Sequence, residues 1–178
     1  MAELTRIGEI HRKTGETEIL VQVELDGTGS YQIDTPIPFF SHMLTLLSVH
    51  SLCNLKVIAQ GDIDVDDHHT VEDIGICLGE AIKMALQDKN GINRYGEAII
   101  PMDEALARVV IDLSGRPYLV YNVKIDREKV GNLASENVQE FFQALANTAG
   151  MNLHIDLIRG DNGHHIIEAI FKAFARAL

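Results

Sequence analysis

The pattern His-His-x-x-Glu occurs twice, as His68-His69-x-x-Glu72 and as His164-His165-x-x-Glu168, and each copy opens a stretch of helical apolar periodicity. The surroundings repeat with it. Residues 42–55 and 140–153 are equal in length, read as a helix running into a strand, and end in Asn54-Leu55 and Asn152-Leu153. A gap of two residues then brings the two motifs into register. Such a pattern is the signature of a duplicated unit, and 178 residues suffice for two small halves that share one core. The expected fold is α+β, with a mixed or antiparallel sheet and two helices per half. The halves are placed at residues 1–92 and 93–178. No Pro/Ser-rich linker divides them, so they are expected to pack as one compact protein.

The local patterns fill in this frame. Residues 17–25 alternate apolar and polar as a strand does, after a short N-terminal strand that carries His11. Residues 30–34 read as the next strand, and Asp26-Gly27-Thr28-Gly29 between them predicts a hairpin. A helix is expected over 39–51 and a strand over 54–60. A long amphipathic helix follows over 70–86, its start favoured by the acids of 64–67. After the break at Asn90-Gly91, strands are expected over 97–101, 105–113 and 118–125, with Gly115 and Pro117 marking a turn. A helix over 135–149, a strand over 152–158 and a helix over 164–177 complete the chain.

The motif carries chemistry because of helix geometry. Successive residues advance by ~100°, so His68, His69 and Glu72 project from one face within about one turn. Adjacent imidazoles diverge, which suits two metal ions better than one, and the glutamate between them can complete either set. One such pair beside Asp64, Asp66 and Asp67 reads equally well as a solvated helix cap; its repetition at the equivalent place decides for ligands. The alignment also pairs His42 with Glu140, both able to bind a metal, and His154 with Lys56, which argues against His154. For His42 the alternative is a satisfied core histidine. His11 and His50 have no counterpart in the other half. The donors are imidazoles and carboxylates with no thiolate, a set that points to Mn²⁺, Fe²⁺ or Zn²⁺ and, where carboxylates are many, to Mn²⁺.

Composition narrows the partners. The formal net charge is -11, which disfavours nucleic acid and anionic membrane surfaces. No apolar run approaches the ~20 residues of a membrane span, and residues 1–10 do not read as a signal peptide. Cys53 and Cys77 sit in apolar runs without Cys-x-x-Cys spacing, as expected of reduced thiols in a cytoplasmic protein. In so acidic a chain an anionic substrate needs local cations. Arg94 after Gly91-Ile92-Asn93, Arg116 between Gly115 and Pro117, and Lys172 one turn beyond Glu168 are the candidates, although each alone reads first as a surface charge. The acidic turn Asp103-Glu104 has no role assignable from the residues themselves.

Several stretches together resemble the imidazoleglycerol-phosphate dehydratase family. They are Arg12-x-Thr14-x-Glu16-Thr17, Gly61-Asp62-x-x-Val65-Asp66-Asp67-His68-His69-Thr70-x-Glu72-Asp73, Asn93-Arg94-Tyr95-Gly96 and Pro101-Met102-Asp103-Glu104. Leu113-Ser114-Gly115-Arg116-Pro117-Tyr118 and Asn162-x-His164-His165-x-x-Glu168-Ala169 complete the set, and the likeness runs over essentially the whole chain. It implies dehydration of imidazole glycerol phosphate to imidazole acetol phosphate in histidine biosynthesis. It also implies two Mn²⁺ ions per active site and a homo-oligomer of roughly 24 subunits with sites completed between subunits. By the same resemblance His42, His68, His69, Glu72, His164, His165 and Glu168 are metal ligands, with Glu72 and Glu168 at the catalytic centre. Glu16 is the substrate-contacting acid/base, and Arg94, Arg116 and Lys172 hold the phosphate.

Three departures qualify the resemblance. Many members have His where this chain has Glu140, which leaves a carboxylate as the eighth candidate ligand. The residue before His42 is usually Asp and here is Ser41, a weaker acceptor for orienting an imidazole. Members usually continue past the position of Leu178 with a tail bearing Ser and Lys, and weakened substrate affinity is expected of the sequence as it stands. Two other classes remain in view. A two-metal phosphate-ester hydrolase would release inorganic phosphate. A di-metal storage protein usually places Glu-x-x-His motifs in long bundle helices, which the strand-rich pattern argues against.

Overall fold

The computed structural model describes residues 6–178; residues 1–5, part of the segment that does not read as a signal peptide, lie outside the described residues. β1 (Ile7–Lys13) and β2 (Thr17–Glu24) form an antiparallel hairpin, from Ile7 opposite Glu24 to Lys13 opposite Glu18. β3 (Tyr31–Asp34), α1 (Pro38–Ser51), β4 (Asn54–Gly61) and α2 (His68–Leu86) complete the first half. The second half runs through β5 (Tyr95–Met102), β6 (Ala105–Asp112) and β7 (Tyr118–Asn122). The short pair β8 (Lys129–Val130) and β9 (Leu133–Ala134) follows, then α3 (Glu136–Ala149), β10 (Asn152–Arg159) and α4 (Gly163–Ala177).

The two sheets have the same topology, β1-β2-β4-β3 and β5-β6-β10-β7. Their registers match as well. Glu24 lies opposite Asn54 as Asp112 lies opposite Asn152, and Tyr31 opposite Leu55 as Leu119 opposite Leu153. The fold is therefore α+β and built from two similar halves, as the repeated motif required. One expectation is corrected: β3 does not form a hairpin with β2. It pairs in parallel with β4, which occupies the place beside β2. The Asp26–Ser30 bend is tied instead to Asn54, whose Oδ1 accepts from the N–H groups of Thr28 and Ser30 at 2.9 Å each. Turn chemistry marks a change of direction, but which strand is met next is a non-local matter that the four turn residues do not encode.

Each sheet buries one face under the last helix of its own half, α2 on β1 and β2, α4 on β5 and β6. The approach is close at matching places: a Cβ on Gly8 would overlap the Ala81 carbonyl, and one on Gly96 the Ala177 carbonyl. The remaining helices cross over. α3 lies along α2, and α1 along α4, so each half donates a helix to the other. Gly75 and Gly79, one turn apart on α2, allow the first contact, since a Cβ on Gly75 would stand 2.7 Å from the Phe141 carbonyl oxygen. The second contact is filled by rings, with Phe40 and Phe171 edge to face at 6.2 Å. Phe40, Phe141, Phe142, Phe171 and Phe174 are all buried in one continuous core, and burying each such ring stabilises by about 1.5–3 kcal/mol. No helix among the described residues is long and apolar enough to cross a membrane.

Candidate metal centre

Both motifs sit in the first turn of a helix, and both starts are fixed the same way. The residue two before the first histidine accepts its backbone N–H: Asp66 Oδ1 from His68 at 2.8 Å, Asn162 Oδ1 from His164 at 2.9 Å. Capping of this kind satisfies N–H groups that have no partner within the helix. Of the acids at 64–67, Asp66 thus caps the helix. Asp67 is buried and accepts the Ala134 N–H at 2.7 Å, tying the start of α2 to β9.

The crossing of α1 over α4 brings residues of both halves together. The ligand atoms of His42, His164 and Glu168 lie within 4.8 Å of one another, the one such group of three among the described residues. Glu168 Oε2 is 3.1 Å from His164 Nε2 and 3.7 Å from His42 Nε2. Its other oxygen, Oε1, accepts from Lys172 Nζ at 2.6 Å, so the lysine turns Oε2 toward the two imidazoles. Glu168 is only 6% exposed. Burial raises the pKa of its carboxyl, but the Lys172 hydrogen bond and charge, the His164 hydrogen bond and the nearby His42 outweigh it, and the group ends below the usual value. Two imidazole nitrogens and one ionised carboxylate oxygen make a donor set that fits a divalent cation of borderline hardness.

The equivalent place in the first half is looser. His68 Nε2 stands 3.6 Å from Glu72 Oε2, and His68 Nδ1 is 3.2 Å from Asn137 Oδ1. Glu140 rides on α3, which lies along α2, but does not close with His68 and Glu72 to the spacing seen at Glu168. The second histidine of each motif points elsewhere. His69 Nδ1 is 3.0 Å from an Asp62 oxygen, and His165 Nδ1 is 2.7 Å from a Glu104 oxygen. In both rings Nδ1 is engaged by a carboxylate, the usual arrangement behind a metal-ligating imidazole; His165 Nε2 also stands 3.6 Å from Asp103 Oδ2. The hydrogen bond that Asp62 accepts raises the pKa of His69, and the one that Glu104 accepts raises His165; in return Glu104 is held down to about 2.

Glu104 is the site residue that sequence reasoning missed. The signal was present, because the β1/β2 and β5/β6 hairpins share one register and Glu104 occupies the position of Glu16. The aligned segments began at residue 42 and did not reach it. Glu16 itself is exposed in the β1–β2 turn, close enough to His69 for its charge to help raise that imidazole.

The three cationic candidates are not brought together within one chain. Arg94 is paired to Asp112 through Nε at 2.7 Å and Nη2 at 3.1 Å, and the Arg116 charge also acts on Asp112. Both arginines stand at the Tyr95 end of β5. Lys172 lies against Met102 Sδ at 3.6 Å, at the other end of the same strand. Seven residues of strand separate the two ends, about 23 Å at ~3.3 Å per residue.

Fold and site together define a duplicated α+β protein that presents histidine–carboxylate groups at the starts of two equivalent helices. A family model described as imidazoleglycerol-phosphate dehydratase matches residues 35–178. A relative from Syntrophomonas wolfei with that name is 73% identical, over 97% of this chain and 88% of its own length. One from Desulfotalea psychrophila is 58% identical, over 99% and 88%. Among solved structures, imidazoleglycerol-phosphate dehydratase from Staphylococcus aureus superposes with a TM-score of 0.87 at 47% identity, covering 96% of this chain and 95% of that one. The Pyrococcus furiosus enzyme in complex with (S)-C348 superposes with a TM-score of 0.80 at 35% identity, covering 94% and 90%. The chain belongs to the imidazoleglycerol-phosphate dehydratase family and is a dehydratase, a lyase by reaction class.

Proposed function

We propose that this protein converts imidazole glycerol phosphate to imidazole acetol phosphate in histidine biosynthesis, in a reaction that depends on bound divalent metal, with Mn²⁺ the preferred ion and two ions per active site. The observation that carries the reading is the convergence of His42, His164 and Glu168, two imidazoles and an ionised carboxylate drawn from both halves of the chain. His68, His69, Glu72, Glu140 and His165 supply the remaining ligands. When bound, the ions lend Lewis acidity to the imidazole ring and stabilise negative charge as it develops there.

The chain's own groups do the rest. Asp62 and Glu104 fix the rings of His69 and His165 through Nδ1. Glu16, exposed beside His69, moves the carbon-bound proton. The substrate hydroxyl leaves as water, and the resulting enol becomes the ketone. Glu72 and Glu168 act at this centre as well as holding metal. Arg94 and Arg116 bind the phosphate with Lys172 from a different chain, because ~23 Å of strand separates them within one. That separation supports a homo-oligomer with sites shared between subunits, assembled as roughly 24 copies. The boundary between the repeat halves falls at residues 92/93, and the protein works in the cytoplasm.

A two-metal phosphate-ester hydrolase is distinguished by one assay. Purified protein with Mn²⁺ and imidazole glycerol phosphate is expected to form the acetol product without releasing inorganic phosphate. Stoichiometric phosphate release without acetol contradicts the dehydratase reading.

A further inference from the structure

The turns that carry Glu16 and Glu104 occupy equivalent places, yet they are held by different chemistry. Behind the first turn lies a polar network. Asp73, on α2 and 7% exposed, accepts from Arg12 Nε at 3.0 Å and from Thr17 Oγ1 at 2.5 Å. Thr17 is itself buried, and its N–H donates to Thr14 Oγ1 at 3.0 Å. The Glu16 N–H donates to the same Thr14 hydroxyl at 3.1 Å, and the Thr14 N–H to the Thr17 carbonyl at 2.9 Å. Glu16 is thus enclosed on both sides by residues anchored to Asp73.

The matching register gives the counterparts. Arg12 corresponds to Ile100, Thr17 to Ala105, and Asp73, one residue after the motif glutamate, to Ala169, one residue after the other. All three are apolar in the second half, which nevertheless forms the same hairpin on the same helix. The network is therefore not needed to make the turn. An apolar trio does that, and does it without desolvating a carboxylate, a substitution that is often neutral or stabilising. What differs is the task of the turn. Glu104 is steadied directly by His165 and by the N–H groups of Asp161 and Asn162. The Glu16 carboxylate has no such partners among the described residues, and its backbone N–H is held by the Thr14 hydroxyl.

We propose that Asp73 is a positioning residue for Glu16. Through Thr17 and Arg12 it locks the β1–β2 turn to α2, the helix that bears His68, His69 and Glu72, so that the Glu16 carboxylate keeps a fixed place beside those imidazoles. This rests on the reading of Glu16 as the acid/base. A displacement of about 1 Å at such a group costs on the order of a hundredfold in rate, which is enough to retain a buried carboxylate that stability alone does not require.

The test imports the second half's solution, Arg12→Ile, Thr17→Ala and Asp73→Ala together, with the near-isosteric Asp73→Asn as a second variant should the triple fail to fold. Each is made in the wild-type and Glu16→Gln backgrounds. For the triple variant an unchanged or raised Tm is expected, whereas Asp73→Asn, which leaves Arg12 without its carboxylate, lowers Tm. Both keep their Mn²⁺ content and show faster amide hydrogen exchange in the 14–17 turn of the metal-free protein. The loss in kcat is expected to be tenfold or more, on the scale of a misplaced catalytic group. In the Glu16→Gln background the same changes should cost nothing further, because a positioning residue has nothing left to position. Thr17→Ser, which keeps the hydroxyl, should retain near wild-type kcat. The inference is overturned if Glu16→Gln is impaired while the network variants keep wild-type kcat, or if their loss is matched by loss of Mn²⁺. Wild-type kcat in Glu16→Gln itself would instead remove the acid/base reading beneath it.

Discussion

His165 and Glu104 show how much of the site is decided by single contacts. Their 2.7 Å hydrogen bond raises the imidazole and holds the carboxyl down to about 2. The depressed carboxyl contributes stability that is full above its ordinary 4.5 and lost as pH falls through about 2. The raised imidazole contributes stability that is full below its ordinary 6.5 and lost as pH rises through its folded value. In metal-free protein the pair is therefore at full strength between those ordinary values. Glu104→Gln should lower Tm most between the ordinary carboxyl and imidazole values, with the deficit shrinking as pH rises through the raised His165 value; melts in chelator across that range check it, and a deficit constant with pH contradicts it. At this scale the sequence was uneven. The two motifs announced His68, His69, Glu72, His164, His165 and Glu168, because their spacing has a meaning on a helix. Asp73 was silent, because it acts across the fold on residues far away in the chain, and Glu104 could be read only through its equivalence to Glu16 in the other hairpin.

Helix contacts divide into those the sequence reveals and those it conceals. Most strands and helices were legible, since period and turn residues mark them, and their ends differ by at most about three residues, as at β7, which stops at Asn122; the two-residue strands β8 and β9 are too short to carry a period and were not foreseen. The order of strands in each sheet was not, as the parallel pairing of β3 with β4 shows. Nor was the exchange of α1 and α3 between halves, on which the meeting of His42 with Glu168 depends. Gly75 and Gly79 are its clearest physical trace. Added methyls here press on α3, whose Leu145 carbonyl oxygen would lie 2.6 Å from a Cβ at Gly79. Gly79→Ala is expected to destabilise by about 1–3 kcal/mol through overpacking, whereas Gly15→Ala, with open space around its Cβ position, should change stability by less than about 0.5 kcal/mol. Urea unfolding of the two variants measures the difference, and equal effects would contradict the packing argument.

At the scale of the whole molecule, the proposed phosphate contacts sit at two ends of one strand. Arg94 and Arg116 stand at the Tyr95 end of β5 and Lys172 at the Met102 end. If neighbouring chains complete the site, two defective variants can repair each other. Arg116→Ala and His164→Ala should each be nearly inactive alone, and co-assembled mixtures should regain up to about a quarter of wild-type activity, the share of sites drawn from two intact contributions when subunits mix at random. Mixtures no more active than their components would place the whole site within one chain.

The central claim is that the repeated helix starts hold the metal on which dehydration depends. The most direct measurement strips the protein of metal, titrates Mn²⁺ back, and follows bound ion and acetol product together, for the wild type and for His42→Ala. The account predicts no turnover in stripped protein, product rising with bound Mn²⁺ to a plateau at two ions per site, and reduced loading in the variant. Full turnover by the stripped protein, or unaltered Mn²⁺ binding after loss of His42, would contradict it.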